Sequence, residues 1–239
     1  MKSYALDELT WPEIRNHLDG APRLMMAVGA LEQHGPHLPL GANVLVAHRV
    51  VEEVSQRLGI LRAPTFSYGV TASRGPRAGS AGLRRKTLHR AVNELVAQWE
   101  DQGVEEFILV TAHRYEPHLE ALLMVLSTES RTTVYDLFQI DVADLLEGDP
   151  ELEHAGEMET SLLLHLAPDR VRASKMEDYV AQPGLIRRYT RGRMPTPPGA
   201  RKGVVGRPSL AAGDTGARIF ARYTDILTEA LRGPPELRE

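Results

Sequence analysis

Residues 23–58 read RLMMAVGALEQHGPHLPLGANVLVAHRVVEEVSQRL, and this stretch decides the fold. Its first eight residues form a short, almost continuous apolar run, the pattern of a strand buried on both faces. Val44, Val51, Val54 and Leu58 then recur at helical spacing with charged residues between them, which predicts an amphipathic helix. Between the two lies a loop bounded by glycine and proline that carries Glu32, His34 and His37 and ends in Asn43. A strand leading through a loop into a helix is half of a βαβ unit.

The rest of the chain repeats that grammar. ILRAPTFS (60–67), EEFILVTAH (105–113) and TTVYDLF (132–138) read as further strands, with residues 107–110 of the second continuously apolar. Helices are predicted over 86–103, where Gly103 supplies a stop, and over 114–127, 157–166 and roughly 214–231. Residues 68–82 form a polar, glycine-rich loop. A segment rich in proline and arginine, at about 180–208, reads as an irregular surface excursion and not as a second domain. The pattern predicts one three-layer α/β/α domain over residues 1–239 with a largely parallel central sheet. In open sheets of that kind ligands bind beyond the carboxyl ends of the strands. The Glu32 loop and His113 both follow such ends.

Composition narrows the function. With no cysteine there are no disulfides, thiolate metal sites or cysteine nucleophiles, so His, Asp and Glu are the strong metal ligands available. A net charge of −4 and a pI near 6.2 predict neither nucleic acid nor an anionic membrane as partner. The N-terminus has no apolar signal core and no run reaches the ~18 apolar residues of a membrane span, which predicts a cytoplasmic protein. ASRGPRAGSAG lacks the Gly-Lys-Ser/Thr ending of a phosphate loop, and no Gly-x-Ser-x-Gly elbow is present. RRYTRGR and GARKG read as solvated loops on an acidic chain.

Glu32 and His34, two apart in extended chain, project to the same side, and carboxylate with imidazole suits Zn²⁺, Mn²⁺ or Fe²⁺. Glu-x-His is a short motif, and such histidines serve equally well as hydrogen-bonding groups of a loop. His113 sits where a ligand or base is well placed, although a lone histidine at a helix start is more often just hydrogen-bonded. Glu157 and Glu159 are separated by one residue, so on a helix they point in different directions and only one faces a site. His154 precedes them in a turn.

Taken together, EQHGPHLPLG, HAGEMETSLLL and GVVGRPSLAAGDTGARIF resemble the creatininase family of metal-dependent amidohydrolases. YGVTASRGPRAGSAGL fits the family's Tyr-Gly…Pro-Gly-Thr segment in register, and the resemblance runs from about residue 11 to 231. It implies a single α/β/α domain, commonly assembled as a homohexamer. It also implies one or two divalent metals and hydrolysis of C–N bonds in cyclic amides, formamides or peptides. Carried over, Glu32, His34, His113 and Glu159 match metal ligands, and His154 matches a histidine near the substrate. Asn43 stands where the family has an aspartate that bridges two ions. Arg114 and Tyr115 replace small residues after the family's histidine, Glu116 is a new carboxylate, and Ser73 and Arg74 stand where many members have Glu and His.

The resulting expectation is a one-metal hydrolase of a small-molecule C–N bond other than an ordinary peptide bond. One Zn, Mn or Fe ion is expected on Glu32, His34, His113 and Glu159, with Asn43 a weak ligand or a hydrogen-bonding orienter. Glu116, His154 or Glu157 is expected to move a proton. His37, Arg74, Arg114 and Tyr115 are expected to contact the substrate, with Arg114 favouring a carboxylate or phosphate. Two alternatives stand beside it: a metal-assisted ring-opening or lyase step, and a non-catalytic relative that binds a small ligand.

Overall fold

The computed structural model describes residues 3–72, 78–125, 130–149, 153–181, 183–193 and 202–233. Ser73, Arg74 and residues 194–201 of the predicted excursion lie outside the described residues.

The elements in chain order are α1 (Trp11–Leu18), β1 (Arg23–Ala27), α2 (Ala42–Leu58), β2 (Leu61–Arg62), α3 (Arg85–Glu100) and β3 (Glu106–Thr111). They continue with α4 (Glu116–Leu123), β4 (Arg131–Asp136), α5 (Glu157–Leu166), α6 (Pro183–Thr190) and α7 (Gly213–Ala230). The strands form one parallel sheet in the order β2-β1-β3-β4, with Leu24 opposite Phe107 and Val110 opposite Tyr135. Side chains alternate across it. Met25, Ala27, Ile108 and Val110 pack with Val46 and Val50 of α2, Leu162 of α5 and Ile219 and Tyr223 of α7. Leu24, Met26, Phe107 and Leu109 pack on the other face with Leu18 of α1, Leu88 and Val92 of α3 and Leu122 of α4. This is the three-layer α/β/α arrangement that the apolar runs imply.

Two elements differ from the sequence reading. The strand expected over 60–67 is only two residues long, because Pro64 has no N–H to give to the ladder. The chain rejoins β1 at Phe66, whose N–H donates to Ala27 O at 2.9 Å. The segment expected to be irregular carries the two-turn helix α6. Among the described residues no helix is long and apolar enough to cross a membrane.

Parallel neighbours end on the same edge of the sheet, so β1 and β3 deliver the Glu32 loop and His113 side by side. Asn43 falls in the first turn of α2 and Glu159 in the first turn of α5, and both helices lie against that edge. Ala155, just ahead of α5, has φ 54°, a left-handed conformation that a residue with a Cβ rarely adopts. Its N–H donates to Glu159 Oε2 at 2.6 Å, so this strained residue is held by the carboxylate it helps to aim.

Candidate metal centre

Three buried side chains come together at this edge. His34, His154 and Glu159 each offer a ligand atom within 4.8 Å of the others. His34 Nε2 stands 3.2 Å from Glu159 Oε1, and His34 Nδ1 hydrogen-bonds Glu32 O at 2.9 Å, which leaves Nε2 as the atom facing the cluster. His154 Nε2 lies 2.9 Å from Gln33 O and 3.1 Å from Gln33 Nε2, and in the tautomer that donates to the carbonyl Nδ1 is the available ligand. Each ring is thus oriented by a backbone carbonyl, the usual outer support of a metal-binding histidine.

The electrostatics fit a cation. Burial opposes charge on His34, but Glu159 outweighs it and pushes the imidazole up to about 9. Burial likewise opposes ionisation of Glu159, and His34 outweighs it and holds the carboxyl well below the usual range. Burial and the neighbouring His34 both keep His154 below its ordinary value, so it is neutral and able to ligate. Without metal, a proton sits between His34 and Glu159 where a divalent ion would be attracted.

A second pair lies beside the first. Glu32 Oε2 is 3.4 Å from His113 Nδ1, and His113 Nε2 bonds Val70 O at 2.8 Å. Burial raises the cost of charge on Glu32, but His113, His154 and His34 outweigh it and keep the carboxylate below its ordinary value. Glu32 Oε1 accepts from Thr71 Oγ1 at 2.8 Å and from the Tyr189 hydroxyl at 2.6 Å. Asn43 flanks this pair with the wrong end for a cation. Its Oδ1 accepts the Ala30 N–H at 2.9 Å, which fixes the amide so that Nδ2 faces His113 Nδ1 at 3.2 Å.

A family model described as creatinine amidohydrolase matches residues 7–231. The chain belongs to the creatininase family. Creatinine amidohydrolase of Pseudomonas putida is 30% identical over 202 residues, covering 74% of this chain and 77% of that protein. Mycofactocin precursor peptide peptidase of Mycobacterium tuberculosis is 29% identical over 221 residues, covering 86% and 82%. A solved creatinine amidohydrolase superposes with a TM-score of 0.80 at 24% identity, with 97% of each chain covered. The family is one of C–N bond hydrolases, as an amidohydrolase and a peptidase both are.

Within this creatininase-family framework the anticipated residues divide. His34 and Glu159 cluster as expected, joined by His154, which was expected to move protons. Glu32 and His113 form a pair beside them, and Asn43 accepts the Ala30 N–H at Oδ1 and turns Nδ2 toward His113. Glu157 is turned from the site: its carboxylate accepts from Glu147 N at 3.0 Å and Gly148 N at 2.7 Å and ties that turn to α5. Glu116 is exposed at the start of α4. His37 is buried against α5, its Nε2 3.0 Å from Thr160 Oγ1, and burial pushes it down to about 4. Tyr115 stands with its ring 5.9 Å from that of His113, and Arg114 lines the pocket.

These side chains leave a narrow cleft of about 10 Å³, the room of a single water, between His34, His113, His154, Glu159, Glu153 and Tyr189. It meets a larger groove of about 600 Å³ along Arg114, Phe138 and Met158. Sequence reading missed Thr71, Glu153 and Tyr189. Tyr189 sits in RRYTRGR, where only its spacing of three from Ile186 marked a buried face.

Proposed function

We propose that this chain is a hydrolase of the C–N bond of small amides, dependent on one divalent cation held by His34, His154 and Glu159. The observation that carries the reading is that these three buried ligands converge while the neighbouring pair is capped by an amide N–H₂. Solved creatininases alike in fold include one described with manganese and one of zinc–zinc type. A cation in this place supplies Lewis-acid polarisation of the amide carbonyl and makes nearby water more acidic.

The chain's own groups supply the rest. Glu32 stays ionised, and with Oε1 filled by two donors its Oε2 is the atom that accepts a proton from the attacking water. Glu153 lines the same pocket, and burial with Glu159 pushes it up to about 8, so it holds a proton at neutral pH for the departing nitrogen. Arg114, at the mouth, suits a substrate bearing a carboxylate. The adjoining groove favours a second reading, cleavage near the end of a short peptide.

The test is elemental mass spectrometry on protein purified without a metal-affinity tag. About one divalent ion per chain is expected, and it should be lost in His34→Ala and in Glu159→Gln. No ion after incubation with Zn²⁺, Mn²⁺ or Fe²⁺ would overturn the reading. Amine release from short N-acyl amino acids and from tripeptides then separates the two substrate classes.

A further inference from the structure

Tyr189 reaches the site from α6, a helix that otherwise belongs to a separate small apolar cluster of Ala72, Ala181, Ile186 and Val205. Its ring centroid stands 5.7 Å from that of His154 and 6.2 Å from that of Tyr115. Its hydroxyl and that of Thr71 both donate to Glu32 Oε1, at 2.6 and 2.8 Å. A carboxylate oxygen offers two lone pairs, so Oε1 is saturated and Oε2 alone is left beside His113. Burial and Glu32 hold the Tyr189 phenol well above its ordinary value, so it remains a neutral donor.

The helix is seated for this. Gly192, at φ 68°, closes its last turn with a bond from its N–H to Tyr189 O at 2.8 Å. A Cβ at Gly192 would lie 2.7 Å from Pro117 Cγ, so glycine lets the turn rest on the start of α4. Tyr189 and Thr190 then roof the pocket above His34 and His113.

We propose that Tyr189 is a positioning residue that latches α6 over the pocket and, through the same bond, leaves Glu32 Oε2 turned toward His113. Closure of the roof and assembly of the proton acceptor become one event. What Oε2 does there rests on the hydrolase reading; the latch itself does not.

The experiment is limited trypsin digestion and hydrogen exchange on the full chain, reading cleavage after the exposed Arg187, Arg188, Arg191 and Arg193. Tyr189→Phe keeps the ring and its packing and removes only the latch. Loss of one charge-assisted hydrogen bond should speed cleavage about ten- to a hundred-fold. Glu32→Ala should match it, and the double variant should cleave no faster than either single one. Thr71→Val, which removes a donor from the same oxygen without touching α6, should stay within about twofold of the parent. Zinc, manganese and iron per chain are measured on the same samples. Unchanged cleavage in folded Tyr189→Phe, or additive effects in the double variant, would overturn the latch. Absence of any divalent ion after incubation with Zn²⁺, Mn²⁺ or Fe²⁺, with the cleavage pattern as expected, would leave the latch standing and sink the hydrolase reading.

Discussion

Asn43 shows how far one atom decides a site. The sequence marks the position because the resemblance implies an aspartate there, yet the orientation of the amide is set by a group thirteen residues earlier, the Ala30 N–H in the loop after β1. Once that donor claims Oδ1, the amide must turn N–H₂ toward His113, where a second cation would otherwise lie between Glu32 and His113. Asn43→Asp keeps the bond to Ala30 through one oxygen and turns the other, now anionic, toward the pair. The expected outcome is a rise from about one to about two divalent ions per chain by elemental mass spectrometry, since adjacent cations need negative charge between them. A count fixed at about one would mean that the Glu32–His113 pair is closed to metal for another reason. The same scale explains Glu157, Glu116 and His37. Each lies in or near a motif, but which way a side chain points depends on partners such as Glu147, Gly148 and Thr160 that no local spacing reveals.

Elements were legible where their burial is two-sided. Residues 24–28 and 107–110 are apolar throughout because both faces of a parallel strand meet helices, and that alone implies the layers. α6 was not legible for the opposite reason. Among its described side chains only Ile186 and Tyr189 mark its buried face beside arginines, and the surfaces they meet, Ala72 and Val205, come from distant parts of the chain. The crossing of α5 and α7 was likewise invisible in sequence. A Cβ on Gly216 would stand 1.9 Å from Ser161 O, so α7 approaches α5 as closely as a glycine allows. Gly216→Ala must push the helices apart or distort them, and overpacking of this kind costs about 1–3 kcal/mol. The urea midpoint should fall accordingly while the metal content stays at about one per chain. An unchanged midpoint would show that the two helices separate at this crossing without cost.

At the scale of the whole molecule the centre is assembled from the loop after β1, the turn before α5, α5 itself and the α6 roof, so binding a cation is coupled to global folding. The coupling carries a sign. In metal-free protein His34, raised from 6.5 to about 9, contributes stability that is fully present below pH ~6.5 and is lost as pH rises through about 9. A cation must displace that same proton, so its apparent affinity climbs across the same window, by on the order of a hundredfold. Free metal at about a hundred times its Kd stabilises by about 2.7 kcal/mol, which for a domain of this size raises Tm by roughly 5–10 °C. Stripping the metal with a chelator at pH 9 should therefore lower Tm by about that much, and at pH 6.5 by much less. Calorimetry at the two pH values reads the difference directly. An equal drop at both would mean that His34 gives up no proton to the metal, and the ion would have to be placed on Glu32 and His113 instead.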